Sequence, residues 1–375
     1  MPPRRPAGPS VGDLRHRRYT TSGRAALLAA LRQLSLPAGS TVLVPTYHCP
    51  TMVAPVLEAG LVPAYFPIGP QGLPEIDGID RTAIDRARVI IAAQYFGLPR
   101  GLSHLRQWCD RKGIVLVEDC AHSYFGQAGE RPVGAWGDYA TASISKFFPV
   151  AEAGLLASAV RPLSALGLRR PGLRRELKSA LDVLEQSHAF GHLGGIRHLL
   201  DPVLRLRSLK RARSAAMALE PQDLLEPSEQ EMMGLCDMGR TGEEATWAAR
   251  ALHAALPQAG IVQRRRDNYA ALASALAQPS GARRPEPALP DGAVPYVCPL
   301  LIEGRERAQA IYMRMRAAGL PVFRWDRIWP GTPADPQDCG PTWSHQLIQI
   351  LCHQSLTPEQ LRQVAAQTQA LLRSH

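Results

Sequence analysis

From residue 22 to about residue 158 the chain alternates between helical and extended hydrophobic patterns. The predicted helices are "GRAALLAALRQLSL", "CPTMVAPVLEAG" and "GLSHLRQWCDRKG", and the predicted strands are "STVLVPTY", "LVPAYFPI", "ARVIIAAQYF", "IVLVED", "DYATASIS" and "GLLAS". Strands that are apolar at nearly every position and separated by helices indicate a mostly parallel sheet covered by helices on both faces. The pattern therefore predicts an α/β fold whose chemistry lies at the carboxyl ends of the strands.

The pattern changes after residue 246, where it predicts a smaller α+β domain. Two helical stretches, "TGEEATWAARALHAAL" and "RRRDNYAALASALAQ", precede the Pro- and Gly-rich break "PSGARRPEPALPDGAVP". The strands "YVCPLLI", "LPVFRW" and "LIQILC" and the helix "RERAQAIYMRMRAAG" follow it. In the last predicted helix, Thr357 is a candidate cap, Pro358 occupies the first position and Gln360 completes a capping box. We expect a large domain at 21–245 and a small domain at 246–375.

Composition supports a soluble, globular protein: 45% of the 375 residues are hydrophobic and 20% are charged. The first 20 residues are basic and Pro-rich without an apolar core, so we predict a flexible arm at 1–20 rather than a secretory signal. No stretch approaches the ~20 consecutive apolar residues of a membrane-spanning helix. The seven cysteines have no metal-binding spacing, which favours reduced thiols, a cytoplasmic location and no metal site.

The net charge of +10 favours anionic partners. Residues 160–235 form an arginine-rich segment that we predict to be helical. It contains "LRRPGLRRELKSALDVL" and "RLRSLKRARSAAMAL". Solvated helix faces or a subunit contact are the simplest interpretation. Binding to nucleic acid or to an anionic membrane surface stays open, but it is disfavoured because aromatic residues do not alternate with the arginines.

Lysine is rare in this chain, which makes one lysine informative. Of the 43 basic Lys and Arg residues only four are lysine, and Lys146 lies in the apolar stretch "ATASISKFFPVAEAG". Arginine does not lose its proton at working pH, so only a lysine supplies a nucleophilic amine. A lysine of this kind, taken alone, is more often a surface residue. Its chemistry has to be judged from its neighbours in the fold.

Two other features suit the same cofactor as Lys146. Asp119 ends the buried strand "IVLVED", where a carboxylate needs a cation or a donor. The stretch "TTSGRAAL", with Ser22, Gly23 and Arg24, begins a helix whose free amides favour a phosphate. Pyridoxal 5′-phosphate requires all three groups: a lysine for its aldehyde, an acid for its pyridine nitrogen and an anion site for its phosphate.

Motifs of other enzyme classes are absent from the sequence. It has no G-x-S-x-G of serine hydrolases, no H-E-x-x-H of zinc enzymes, no P-loop and no G-x-G-x-x-G.

The chain resembles the DegT/DnrJ/EryC1/StrS aminotransferases, the sugar aminotransferases of fold type I. The resemblance rests on "TVLVPTYHCPTMVAPVLEAGLVPAYFPI", "QYFGLPRGLSHLRQWCDRKGIVLVEDCAHSYFG" and "GDYATASISKFFPVAEAGLLAS", and it continues more weakly to "CHQSLTPEQL". It implies a large pyridoxal-phosphate-binding domain with a mostly parallel sheet and a small C-terminal α+β domain. It also implies a homodimer whose active sites are completed by the partner chain.

The resemblance makes Lys146 the lysine that forms the Schiff base with the cofactor. The residues it implies for cofactor binding are Ser22, Gly23, Arg24, His48, Cys49, Asp119, His122 and Ser143. Among these, Asp119 is the partner of the pyridine nitrogen, His122 lies near the ring hydroxyl and Ser143 contacts the phosphate. Cys49 stands where the family often has an aromatic residue that stacks on the ring, so His48 or Tyr47 is a candidate for stacking.

The resemblance implies transfer of an amino group, from a donor such as glutamate, to a keto group of a nucleotide-linked sugar or related biosynthetic intermediate. Family members that dehydrate sugars commonly replace the lysine with histidine, so Lys146 argues against that branch. Two alternatives stay open. One is a pyridoxal-phosphate enzyme with a non-sugar substrate such as a cyclitol. The other is a non-catalytic basic binding protein on the same scaffold. We consider nucleic acid an improbable partner.

Overall fold

The computed structural model of the protein describes residues 8–164, 166–189 and 227–374. The second arginine-rich stretch, residues 205–219 of the predicted segment 160–235, lies outside these ranges. Among the helices within them, none combines the length and the apolarity that a membrane span requires.

A seven-stranded sheet forms the centre of the large domain. The strands up to residue 158 are β1 (His16–Thr20), β2 (Thr41–Pro45), β3 (Val62–Phe66), β4 (Ala87–Ala93), β5 (Val115–Asp119), β6 (Gln127–Ala128), β7 (Arg131–Pro132), β8 (Tyr139–Ser143) and β9 (Gly154–Ser158). The sheet order is β1-β9-β8-β5-β4-β2-β3, and β6 pairs only with β7. Strands β3, β2, β4, β5 and β8 are parallel, whereas β9 is antiparallel to both its neighbours. This confirms the predicted mostly parallel sheet.

Short helices connect these strands and are bounded by the residue types that the sequence offers. They are α1 (Gly23–Gln33), α2 (Pro50–Glu58), α3 (Arg81–Arg86) and α4 (Ser103–Lys112). The Ser22 hydroxyl caps α1 by accepting a hydrogen bond from the Ala25 amide at 3.2 Å. Helix α4 ends at Gly113, whose φ of 66° is the left-handed conformation that glycine adopts without strain.

The prediction of a flexible arm was wrong for the described part of residues 1–20. His16–Thr20 forms β1, an edge strand that pairs antiparallel with β9. A charged side chain of this strand has a partner in the fold: Arg18 forms an ion pair with Glu244 at 3.1 Å. The strand is polar because it lies at the edge of the sheet, so its hydrophobic pattern carried no signal.

The residues that follow the sheet form four further helices among the described ranges. They are α5 (Leu173–Ala189), α6 (Glu229–Leu235), α7 (Trp247–Ala255) and α8 (Gln258–Ala275). Helix α7 packs on the large domain, because the ring of His253 contacts two tyrosine hydroxyls there. Its Nδ1 lies 3.0 Å from Tyr19 and its Nε2 lies 2.7 Å from Tyr124. The predicted domain boundary at 245/246 stays a prediction, and α7 is in contact with the large domain.

The small domain contains an antiparallel sheet with helices packed against it. Its strands are β10 (Ala282–Arg283), β11 (Val297–Ile302), β12 (Val322–Phe323) and β13 (Leu347–Leu351), and its helices are α9 (Arg305–Ala317), α10 (Cys339–Gln346) and α11 (Pro358–Arg373). The strand order is β10-β11-β13-β12. The capping box between Thr357 and Gln360 at the start of α11 is present as predicted.

The two domains share one hydrophobic core. A single cluster of buried side chains contains Leu43 and Phe96 of the large domain together with Leu300 and Trp343 of the small domain. At its centre the ring of Tyr47 lies 5.4 Å from the ring of Trp343. Burial of this surface stabilises the contact between the domains as it stabilises a domain interior.

Gly154, the first residue of β9, allows the amino end of α1 to approach the sheet. A Cβ atom at this position would overlap the carbonyl group of Ser22 and would lie 2.8 Å from the Gly23 nitrogen. These atoms are backbone and belong to the first turn of a packed helix, so they have no room to yield. The glycine is therefore required for the position of α1.

We expect Gly154→Ala to lower the free energy of unfolding by about 1–3 kcal/mol, the usual cost of forcing extra atoms into a packed interior. Chemical denaturation of both proteins measures it. Gly234→Ala is the matched control, since a Cβ there meets nothing within 4 Å inside α6. That variant should be neutral or more stable by up to ~1 kcal/mol. Equal stability of Gly154→Ala and the wild type would contradict the close approach.

Candidate functional site

Two neighbouring parallel strands bring the predicted acid and the predicted lysine to one edge of the sheet. Asp119 is the last residue of β5 and is paired in register with Thr141 of β8. Strand β8 ends at Ser143, and the chain then forms a single 3₁₀ turn, Ile144–Lys146. Because parallel strands end at the same edge, Asp119, Ser143 and Lys146 meet there.

The amino end of α1 reaches the same edge from the first segment of the domain. Ser22, Gly23 and Arg24 form its cap and first two helical positions. The first amides of a helix have no partner within the helix, and with the helix dipole they favour an anion. The hydroxyl of Ser143 lies 3.3 Å from that of Ser145, and both line the same cavity. This end of the site suits a phosphate.

A cavity of about 330 Å³ separates these groups. The residues around it are Thr21, Ser22, Gly23, Arg24, Leu27, Cys49, Thr51, Asp119, Ala121, Ser143, Ser145, Lys146, Ala151, Glu152, Asp237, Arg240 and Trp325. Seven of the nine sequence-predicted site residues are among them. His122 lies behind this lining, and His48 lies away from it.

Burial raises the pKa of the Asp119 carboxyl above its ordinary value. Hydrogen bonds from the Ala121 amide at 2.9 Å and the Thr141 hydroxyl at 3.3 Å, together with the charge of Lys146, act in the opposite direction. The two hydrogen bonds and the charge of Lys146 therefore do not fully offset the cost of burying the Asp119 charge. A protonated ring nitrogen bound in the cavity would supply a cation to this carboxylate, so the surroundings of Asp119 fit the role expected of it.

The preceding residue, Glu118, accepts more hydrogen bonds than Asp119, although burial raises the pKa of its carboxyl as well. It points to the opposite face of β5 and is completely buried. Its oxygens accept hydrogen bonds from the side-chain amide of Gln94 and from the backbone amides of Gly134, Trp136 and Gly137. Glu118 is therefore structural, and only Asp119 of this acidic pair faces the cavity.

His122 is buried, and both its ring nitrogens lack a hydrogen-bond partner among the described residues. Its ring packs against Trp325 at 4.5 Å and Tyr296 at 4.6 Å. Burial lowers the pKa of His122 well below its ordinary value, and the charge of Lys146 acts in the same direction. The imidazole is therefore neutral at pH 7, with one donor and one acceptor nitrogen left for a ligand. This suits the predicted contact with a ring hydroxyl.

The structure does not bring His48 or Tyr47 to the cavity. The Nδ1 atom of His48 lies 2.8 Å from the Pro45 carbonyl oxygen, and its Nε2 accepts a hydrogen bond from the Trp329 backbone amide at 3.1 Å. Tyr47 is completely buried in the core shared by the domains, where Gln349 donates to its hydroxyl. The expectation that either ring stacks on the cofactor was wrong, because both side chains turn from the site into packing.

Cys49 does line the cavity, at the amino end of α2. Its sulfur lies 2.7 Å from the Thr51 hydroxyl, and burial raises the pKa of the thiol. A neutral thiol occupies the place expected for an aromatic ring. Among the cavity residues of the described ranges, the aromatic side chain is that of Trp325, from the small domain. Trp325 lies nearly 180 residues from Lys146 along the chain, so the sequence around Lys146 carries no local signal of it.

The sequence also gave no sign of the polar wall opposite Asp119. Arg24 donates to the Asp237 carbonyl oxygen at 3.0 Å and pairs with its carboxylate at 3.2 Å, which leaves the Arg24 amide rather than its guanidinium for an anion. Arg240 forms an ion pair with Glu152. A second cavity of about 240 Å³ shares Arg240 and Glu152 with the first. The residues that line both cavities are Thr21, Ala151, Glu152 and Arg240, so the wall between them is mostly polar.

The sequence comparison agrees with this geometry. A model of the DegT/DnrJ/EryC1/StrS aminotransferase family matches residues 12–168, the stretch that carries the lysine, the acid and the α1 cap. Over these residues the chain is similar to members of that family.

The names of two relatives that match part of this chain refer to a nucleotide-linked sugar and to a cyclitol. GDP-perosamine synthase of Vibrio cholerae is 26% identical over 148 residues, 39% of this chain. L-glutamine:2-deoxy-scyllo-inosose aminotransferase of Streptomyces kanamyceticus is 28% identical over 176 residues, 46% of this chain. In both cases the match covers 40% of the relative's own length.

The fold likeness extends further than the sequence likeness. Helicobacter pylori PseC, described as an aminotransferase involved in the biosynthesis of pseudoaminic acid, superposes with a TM-score of 0.66 at 15% identity. The superposition covers 96% of this chain and 88% of PseC. It confirms the predicted fold class for both domains, beyond the residues that the DegT/DnrJ/EryC1/StrS model matches.

We expect Asp119→Asn to stabilise the cofactor-free protein at pH 8 relative to the wild type, and the difference to shrink towards pH 4. The pKa of Asp119 is raised on folding, so the folded state is penalised once the carboxyl is ionised and not when it is protonated. Thermal unfolding across this pH range measures the difference. The exposed Asp77→Asn serves as the control and should show no such trend. A variant that is least stable relative to wild type at pH 8 would contradict the interpretation.

Proposed function

We propose that the protein is a pyridoxal-phosphate-dependent aminotransferase. The observation that carries the proposal is the arrangement around the 330 Å³ cavity: the Lys146 amine, the Asp119 carboxylate and the amino end of α1 face one another across a single space. Each group matches one part of the cofactor, namely the aldehyde, the ring nitrogen and the phosphate.

When bound, the cofactor supplies a carbonyl that condenses with amines and a ring that accepts the electron pair of an adjacent carbanion. Asp119 keeps a proton on the ring nitrogen by its negative charge. His122 offers a neutral ring nitrogen to the cofactor hydroxyl, while Ser143 and the first amides of α1 hold the phosphate. Lys146 would bind the cofactor through its amine, and the same amine would serve as the base that moves a proton at the reacting carbon.

The substrate we propose is a keto group of a nucleotide-linked sugar, with glutamate or glutamine as amino donor. The names of the relatives support this class, and one of them also supports a second candidate. The Streptomyces kanamyceticus enzyme is named for a cyclitol ketone and for glutamine. A cyclitol or related non-sugar ketone is therefore the second acceptor class to assay.

We expect the purified protein to develop a visible absorption band with pyridoxal phosphate and to lose it when glutamate or glutamine is added without an acceptor. Loss of the band reports transfer of the amino group to the cofactor, so no acceptor has to be known. Lys146→Ala should fail to form the band. The control is Lys112→Ala, which removes an exposed lysine at the end of α4 and should behave as wild type.

A wild-type protein that forms no band would contradict the proposal. It would favour the non-catalytic alternative, in which a basic protein retains the scaffold without the chemistry. A band that persists in Lys146→Ala would contradict the assignment of Lys146. A band that forms but resists both donors would point to a pyridoxal-phosphate enzyme of another reaction type.

We also propose that Trp325 lies against the bound cofactor in place of the aromatic residue that Cys49 replaces. Cofactor binding should then quench tryptophan fluorescence in the wild type, and Trp325→Phe should remove a large part of the quench. The control is Trp247→Phe, which changes an exposed ring outside the cavity lining. Equal quenching in both variants would place the cofactor away from Trp325.

We propose two further properties, the first on the family resemblance and the second on the pattern of the cysteines. The first is a homodimer, which light scattering tests and a monomer at micromolar concentration would contradict. The second is a cytoplasmic location, which cell fractionation tests.

A further inference from the structure

Arg265 of α8 is completely buried, although no carboxylate of the described residues forms an ion pair with it. Its guanidinium lies 4.5 Å from the ring centre of Phe147 and 5.7 Å from that of Tyr296. Burial lowers the pKa of Arg265 to about 10. A cation buried in this way is costly unless hydrogen-bond acceptors and ring faces compensate it, so its neighbours indicate what it is for.

The donors of Arg265 all reach neutral oxygens, and one of these belongs to the reactive lysine. Its Nη2 donates to the Lys146 carbonyl oxygen at 2.7 Å. Its Nε donates to the side-chain oxygen of Gln354 at 2.8 Å, and its Nη1 reaches the Pro295 carbonyl oxygen at 3.4 Å. The amide nitrogen of Gln354 then donates to the Phe147 carbonyl oxygen at 2.8 Å.

Two consecutive carbonyls of the lysine turn are therefore held by the small domain. The amides of this turn are bonded within the large domain: Ile144 donates to Ala153 at 3.0 Å, and Phe147 donates to Ile144 at 3.0 Å. The guanidinium is planar and its donors diverge at fixed angles, so it fixes the direction of the carbonyl as well as its distance. Lysine offers a single charged point and lacks this geometry.

We propose that Arg265, together with Gln354, is a positioning residue that fixes the backbone of the Lys146 turn and thereby aims the lysine amine at the cofactor aldehyde. Neither side chain touches the cavity. The proposal rests on the proposed function, because it concerns the lysine chemistry of that site. It assigns the small domain a part in the reaction that is separate from substrate contact.

The test compares full-length wild type with Arg265→Lys and Gln354→Glu. Arg265→Lys keeps the positive charge but loses the planar guanidinium with its diverging donors. Gln354→Glu keeps an oxygen that accepts from Arg265 but loses the amide group that donates to the Phe147 carbonyl. The matched control is Arg266→Lys, because Arg266 is the next residue of α8 and donates to the Ala293 carbonyl, outside the lysine turn. Thermal unfolding establishes that each variant is folded.

Three readouts separate positioning from general damage. Stopped-flow absorbance at saturating pyridoxal phosphate follows condensation of the Lys146 amine with the aldehyde, in which a carbon–nitrogen double bond forms and water leaves. Titration with pyridoxamine 5′-phosphate measures binding of the same ring and phosphate without that bond. Hydrogen exchange of the cofactor-free protein reports on the amides of residues 144–150.

We expect condensation to slow about tenfold or more in both variants, since small displacements of a reacting group have effects of this size. The affinity for pyridoxamine phosphate should change less than about twofold, and exchange at residues 144–150 should rise about tenfold. Arg266→Lys should match the wild type in all three readouts. Either variant suffices if the other does not fold.

Unchanged condensation and unchanged exchange in a folded variant would overturn the proposal. A parallel loss of pyridoxamine phosphate affinity and condensation would overturn it as well, since it indicates general disruption of the site. Failure of the proposed function gives a different result. In that case the wild type forms no band at all, whereas hydrogen exchange still reports whether Arg265 holds the turn.

Discussion

The site depends on the parallel pairing of β5 with β8. This pairing sets Asp119 opposite Thr141, and only four residues separate Thr141 from the lysine. Two segments that are distant along the chain thus end at the same edge of the sheet, with an acid on one and an amine beyond the other. A register shift of one residue would turn Asp119 to the face where Glu118 is now buried. The site therefore requires that Glu118 and Asp119 point to opposite faces of β5, and not only that an acid is present at the end of this strand.

The amino end of α1 completes the arrangement under a steric constraint. The helix comes close to the sheet at Gly154, where a side chain would overlap the backbone of Ser22. The anion-binding amides thereby reach the cavity without a charged side chain having to extend into it. The guanidinium of Arg24, a residue of the first turn of α1, is paired with Asp237. The phosphate end of the site is therefore made mainly of backbone dipoles and hydroxyls.

The sequence predicted the parts of the fold and site that are encoded locally. The buried strands around Asp119, the start of α1 in the stretch with Ser22, Gly23 and Arg24, and the capping box at Thr357 all follow from patterns of a few residues, and the family resemblance added the role of Lys146. Strand β1 was missed because an edge strand tolerates polar residues. His48 was misassigned because the direction in which a loop side chain points depends on packing against Tyr65 and Trp329, which are far away in the sequence.

Residues of the small domain were harder still to predict. Trp325 reaches the cavity and Arg265 reaches the lysine turn through contacts of more than 100 residues' separation. In a chain with so many arginines, composition does not distinguish a buried arginine from a surface one. Only the three-dimensional structure separates Arg265 from its exposed neighbour Arg264.

The shared core has a consequence for how a ligand enters. Enzymes with two lobes often admit substrate by rotation of one lobe about a hinge. Here such a rotation would pull Tyr47 away from Trp343 and expose apolar surface that is now sealed between the lobes. Rotation of the lobes is therefore expected to be small in amplitude, so that they move as one body. A ligand then enters the cavity past the polar side chains at the rim of the cavity.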